Sequence, residues 1–306
     1  MSDAVLAEYV RDGIVESEHR GYLVALNSDG SVNLALGTSE HLIFPRSTIK
    51  CIQGAAMVRA GLKLEPRLLA LGASSHSGSE MHVAAVREIL ALAKLDESAL
   101  KCMLDKPLGE NERRAWGDKA PTRITMNCSG KHAAMLLTCV TNNWPIENYL
   151  DPAHPLQVAI KKELEALAGE TITVTSTDGC GAPLFLLSVL GLARAIRAAT
   201  ISVDPVHQSV LKASRAFPEM VAGKGRLTTE MIEAVPGLYM KDGAEAVEIA
   251  SMPDGRTLVF KVADGSLRPF RVLVHAGLKR LGVDSPYTAE NVLGGDRVIG
   301  TIRATF

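Results

Sequence analysis

The sequence predicts an α+β fold, on two observations about order and one about composition. Strand-like runs lie near the N-terminus and again after residue 235, while helical periodicity dominates the middle of the chain. The 306 residues are 47% hydrophobic, ample for a sizeable core. We therefore expect one unit in which roughly 1–46 and 235–306 form a single antiparallel sheet, with the mostly helical 47–234 packed against it.

The elements follow in order. Residues 13–36 read as a hairpin, with strands at 21–26 and 32–36 around the turn Asn27-Ser28-Asp29-Gly30. After Pro45 the pattern turns helical from Ser47 to about Leu64, with Ile49, Ile52, Ala56, Met57 and Ala60 on one side. A short apolar stretch after Pro66 leads to the polar cluster 74–80, then to a helix carrying Val83, Val86, Ile89, Leu90 and Ala93. Residues 96–122 are charged and irregular, with two prolines, and suggest loops around short helices. Asn127-Cys128-Ser129-Gly130-Lys131-His132 opens an apolar helix, and another runs from Asp151-Pro152 to about Leu167. The β-branched run 171–175 predicts a strand ending in the Gly/Pro-rich turn 177–183. Helices are expected at 184–198, 205–216, 228–234 and 266–281, and strands at 246–250, 257–262 and 297–305.

Composition excludes several function classes. The net charge of -1, without a basic block, argues against a nucleic-acid or membrane-surface binder. No basic region followed by an apolar run marks a signal peptide at the start, and the apolar run 184–193 is too short to span a bilayer. A cytoplasmic protein is expected. Five widely spaced cysteines suit reduced thiols better than a disulfide framework.

Four motifs carry chemistry. Ser47 and Lys50 stand three apart at a helix start, where a lysine that loses its proton can activate a hydroxyl. Chance Ser-x-x-Lys pairs are common on solvated helices. In Ala73-Ser74-Ser75-His76-Ser77-Gly78, Ser75 is placed to bridge protons to a substrate nitrogen, although Ser77 or Ser79 as a helix cap is the plainer reading. Cys128 and Cys180 each sit in a glycine-containing turn, and their thiolates could share a zinc ion with Lys131 or His132. By ligand chemistry His132 is the more ordinary third donor, and two buried thiols are the bland alternative. Lys241-Asp242-Gly243 precedes a strand, so Lys241 is a candidate carboxylate anchor or second proton acceptor, or simply a turn lysine.

Taken together, these motifs resemble the serine-dependent, rhizobial-type (class 3) L-asparaginases, whose fold is similar to serine β-lactamases, penicillin-binding proteins and bacterial glutaminases. The resemblance runs from about residue 12 to 270. It rests on Gly13-Ile14-Val15-Glu16 with His19-Arg20, Arg46-Ser47-x-x-Lys50, Ser75-His76, Cys128-Ser129-Gly130-Lys131-His132, Thr177-Asp178-Gly179-Cys180, residues 221–226 and Lys241. It implies a single catalytic unit that hydrolyses L-asparagine to aspartate and ammonia. Ser47 would be the nucleophile activated by Lys50, with Ser75 and Lys241 a second pair relaying protons to the leaving ammonia. Cys128, Lys131 and Cys180 would hold one zinc ion that orients substrate, His132 standing nearby. Arg46, Asp178, His76 and His132 would bind substrate or support the pocket, and the family suggests a homodimer. Two departures stand out: Cys51 follows Lys50 where proline is more usual, and Gly-Ala-Pro follows Cys180. The competing readings are a glutaminase or other small-amide hydrolase with the same machinery, and a zinc-dependent ligand-binding protein without turnover.

Overall fold

The computed structural model describes residues 2–306. Its centre is an eight-stranded sheet in which every pairing is antiparallel. From the N-terminal side come β1 (Ala4–Arg11), β2 (Ile14–Leu26) and β3 (Val32–Leu36). The short β4 (Leu42–Ile43), β5 (Thr175–Thr177), β6 (Pro183–Phe185) and β7 (Leu187–Ser188) form two small pairs outside the sheet, β4 with β7 and β5 with β6. The C-terminal part adds β8 (Tyr239–Gly243), β9 (Val247–Ser251), β10 (Thr257–Val262), β11 (Asn291–Gly294) and β12 (Arg297–Ala304). The strand order is β11-β12-β1-β2-β10-β9-β8, with β3 also on β2. N- and C-terminal strands thus share one sheet, as the sequence order predicted.

Alternation along β2 shows how the sheet is buried on both faces. Tyr22, Val24 and Leu26 point into one core, with Val247, Ile249 and Val259 beside them. Leu23 and Ala25 point into the other, with Leu258, Phe260 and Val262. The first core is completed by α1 (Lys50–Arg59), α2 (Pro66–Gly72), α3 (Glu80–Leu92), α5 (Ser129–Thr141), α6 (Pro155–Ala168), α7 (Val189–Ile201) and α8 (Pro205–Ala216). The second is covered by α10 (Leu227–Ala234) and α11 (Phe270–Arg280). Two short helices remain: α4 (Glu110–Trp116) falls between α3 and α5 in the chain, and α9 (Pro218–Val221) between α8 and α10. Among the described residues no helix is long and apolar enough to cross a membrane. All five cysteines are free and buried.

Several boundaries differ from expectation, each for a visible reason. The expected strand at 171–175 is mostly irregular, and only Thr175–Thr177 pairs, with Pro183–Phe185; β-branching alone did not supply a partner strand. The expected helix from 184 begins at Val189, because Ser188 accepts the Gly191 N–H as its cap and the preceding residues belong to β6 and β7. Ser79 is the cap of α3, its side chain accepting from the His82 backbone N–H, so the polar cluster 74–80 does include a helix start. Strand β1 had no expectation; its register is fixed by neighbours on both sides, β2 and β12.

Candidate active site

Ser47 lies in a 3-10 turn, Arg46–Ile49, that runs directly into α1. Arg46 there takes a left-handed backbone, φ 54°, which a non-glycine residue adopts only when surroundings hold it. Its Nε donates to Asp178 Oδ1 at 2.8 Å, tying the turn to the Thr-Asp-Gly-Cys loop. The end of β8 closes in from the opposite side: a Cβ on Gly243 would lie 3.0 Å from the Pro45 carbonyl oxygen.

Lys50 is 1% exposed, and its ammonium makes its hydrogen bonds to residues other than Ser47. It donates to the Ser74 carbonyl, to Ser75 Oγ at 3.0 Å and to Cys128 Sγ at 3.0 Å. Three donors are thereby committed, the full number a lysine ammonium has. The expected pairing Ser47–Lys50 is therefore replaced by Ser75–Lys50. The cause is tertiary: the segment after α2 is extended and clamped by backbone bonds, Ser75 N–H to Val221 O, His76 N–H to Asn127 O and Ser77 N–H to Ala222 O. That clamp holds the Ser75 hydroxyl over α1. Gly223 permits the close approach, since φ is 137° and a Cβ would fall 2.2 Å from Ser77 Oγ.

Lys241 is likewise not bonded to Ser75. Its Nζ donates to the carbonyl and to Oδ1 of Asp242, at 2.6 and 2.8 Å. Arg226 donates to Asp242 Oδ2 at 2.6 Å and also to the Ser75 carbonyl, so the lysine reaches Ser75 only through this chain. Burial lowers the Lys241 pKa, and the Asp242 charge opposes that shift. Burial alone would raise Asp242, but Lys241 and Arg226 outweigh it and hold the carboxyl well below its ordinary value. Sequence reasoning gave Arg226 and Asp242 no role of their own, although both lie within the quoted motifs 221–226 and Lys241-Asp242-Gly243.

Cys128, Lys131 and Cys180 converge in the interior, each 3% exposed or less. Lys131 donates to Cys180 Sγ at 3.3 Å. The hydrogen bond from Cys128 and the charge of Lys131 hold Cys180 well below its ordinary value, while that bond and burial raise Cys128. Among the described residues no group of three His, Cys, Asp or Glu is placed to hold a metal. A zinc ion here must accordingly take the lysine nitrogen with the two sulfurs. Two sulfurs and a nitrogen suit zinc, with Cys180 already favouring the thiolate; Lys131, whose pKa the Cys180 and Cys128 charges raise against burial, must lose its proton to serve.

Two residues expected at the substrate do not line the cleft. His76 is fully buried, its Nε2 bonded to Ser129 Oγ at 2.9 Å and its ring stacked on His82. His132 Nδ1 meets the Tyr149 hydroxyl at 2.7 Å, and burial with the Lys131 charge lowers its pKa to about 3. Both sit on wall segments whose apolar packing draws the rings inward, so they support the site from behind. Cys51 is also buried, its pKa pushed up to about 11 by burial, which makes it a packing residue and a poor nucleophile.

These walls enclose a cleft of about 740 Å³, ample for a small polar molecule. Arg46, Ser47, Ser75, Cys128, Asp178 and Cys180 all face it, from four separate parts of the chain. The arrangement offers two hydroxyls, a buried amine bonded to one of them, and ion-paired cations and carboxylates along the walls. Such a site is equipped for acyl transfer.

Among solved structures, the chain is similar to a β-lactamase from Mycobacterium bovis at 14% identity, covering 85% of this chain and 94% of that one, with a TM-score of 0.48. It is similar to a β-lactamase from Burkholderia vietnamiensis at 15% identity, covering 81% and 86%, TM-score 0.36. A simvastatin synthase mutant from Aspergillus terreus gives 10% identity, 79% and 86% coverage, and a TM-score of 0.40. The activities in those names are those proteins' own. No curated protein sequence matches this one. The L-asparaginase II family profile, in contrast, matches residues 7–302, from the first sheet strand to the last. The chain belongs to the L-asparaginase II family.

Proposed function

We propose that this protein hydrolyses the side-chain amide of L-asparagine through an acyl-enzyme on Ser47. The observation that carries the reading is the placement of Ser47 and Ser75 in one cleft with the buried Lys50 amine bonded to Ser75. Lys50, once neutral, turns its lone pair toward the Ser47 hydroxyl three residues earlier and takes its proton. Ser47 Oγ attacks the amide carbon. The C–N bond then breaks as Ser75 passes a proton to the departing nitrogen and regains one from Lys50, releasing ammonia. Water attacks the resulting ester in the reverse sequence, freeing aspartate and restoring Ser47. Lys241 and Arg226, joined through Asp242, keep positive charge behind Ser75. The guanidinium of Arg46 in the cleft supplies positive charge for a substrate carboxylate.

A second reading is favoured by the Lys50–Ser75 hydrogen bond itself. It makes Ser75 the attacking hydroxyl and leaves Ser47 to the proton relay. Cys128, Lys131 and Cys180 would hold a zinc ion that supplies fixed positive charge at the substrate end of the cleft. Purified protein is expected to carry about one zinc per chain, and replacing Cys180 with serine to lower that content together with affinity for asparagine. Elemental analysis beside KM decides this; full zinc content in the variant would remove Cys180 from the ligand set.

The activity is tested by measuring ammonia release from L-asparagine and L-glutamine in parallel. Asparagine is expected to be preferred. One added methylene typically shifts selectivity by about 10–200-fold, so a reversal toward glutamine would keep the chemistry and change the substrate. Silence with both amides in folded protein would favour a ligand-binding protein. A cytoplasmic homodimer is part of the same proposal, and sedimentation of the purified protein tests the dimer.

A further inference from the structure

One acidic side chain in the cleft has no role in the account above. Glu248, the second residue of β9, is 0% exposed yet faces the cleft. Its Oε1 accepts the Ile249 backbone N–H at 3.0 Å, and its Oε2 has no hydrogen-bond partner. A buried carboxyl oxygen without a donor is costly, so such a group in a binding cleft points to a missing ligand atom.

The neighbouring acids already have their cations. Asp178 is bonded to Arg46, and Asp242 to Lys241 and Arg226. Toward the rim, Glu110 pairs with Arg114. Glu290 also has a partnerless oxygen, but it is only partly buried and feels the Arg271 charge. Glu248 has no bonded cation of its own. It is paired in register with Asp242, which puts two carboxyls side by side on the sheet while Lys241 and Arg226 bond only Asp242. Burial and the Asp242 charge raise the Glu248 pKa, against the opposing charges of Lys241 and Arg226. Its strand also packs against the turn that bears Ser47.

We infer that Glu248 recognises the α-ammonium of an amino-acid substrate: the ammonium donates to the unpartnered Oε2 and supplies the charge this corner of the cleft lacks. The inference rests on the proposed amino-acid amidase reading, and it makes Glu248 the residue that separates α-amino-acid amides from amides of simple dicarboxylic acids. Arg46, which also lines the cleft, then remains for a substrate carboxylate.

Calorimetric titration with L-aspartate and with succinate, which differ in the amine alone, tests this without turnover. The wild-type protein is expected to bind L-aspartate at least about tenfold more tightly than succinate, and Glu248→Gln to erase that preference while succinate affinity stays within about twofold. Glu248→Asp, which keeps the charge on a shorter stem, should retain part of it. Equal wild-type affinity for the two ligands overturns the inference even if the variants fail to fold. So does a Gln variant that keeps the preference, or one that loses both ligands alike. Ammonia release by the wild type is read separately. Its absence beside intact aspartate discrimination would refute the hydrolase reading and leave Glu248 as an ammonium receptor.

Discussion

Replacing Ser47 with alanine is expected to lower kcat for asparagine by about four to six orders of magnitude, the scale seen when a covalent nucleophile is removed. The side chain faces the cleft and is only partly buried, so folding stability should change by no more than about 0.5 kcal/mol. Circular dichroism and thermal melting check the second statement, and ammonia release the first. The combination matters, because a variant that is inactive and also unstable says nothing about chemistry. Activity within tenfold of the wild type would transfer the nucleophile to Ser75.

Lys50→Met carries the second large effect. The sulfur side chain fills most of the lysine's volume while removing the amine, so proton transfer to and from both serines is lost and kcat should fall by about 10²–10⁴-fold. Here stability must move too. The ammonium satisfies the Ser74 carbonyl, Ser75 Oγ and Cys128 Sγ in a fully buried position, and losing it leaves acceptors without a donor. Each stranded polar group costs about 1–3 kcal/mol, offset in part by the removal of a buried charge. A depressed kcat with nearly unchanged KM is the expected pattern. A large rise in KM with kcat preserved would instead make Lys50 a substrate anchor.

The sheet was legible because its evidence is local. Alternation at 21–26 and 32–36 around Asn27-Ser28-Asp29-Gly30 needs only the sequence, and the return of strands after 235 announces the second half of the same sheet. Strand β1 was not legible, since its Glu8 and Arg11 point outward and its pairing partners β2 and β12 decide it. The site divides in the same way. Ser47, Ser75, Cys128 and Cys180 were marked by residue type and turn context, Arg46 and Asp178 by the family resemblance, and all six reach one cleft. Which lysine meets which serine was not marked, because the clamp of Ser75–Ser77 by Val221, Ala222 and Asn127 is a long-range event. Spacing of three placed Ser47 and Lys50 on one turn, yet Ser75 arrives from another segment and takes the amine. Glu248 was invisible for a related reason, and Arg226 was quoted in a motif without a role: a carboxylate in a strand and an arginine in a loop look ordinary until their neighbours are known.

The most direct test is to quench the protein during turnover of L-asparagine with acid and map the aspartyl adduct by peptide mass spectrometry. The account predicts an aspartyl ester on Ser47, absent in Ser47→Ala. An ester on Ser75, or ammonia release with no covalent adduct at any time, would contradict it.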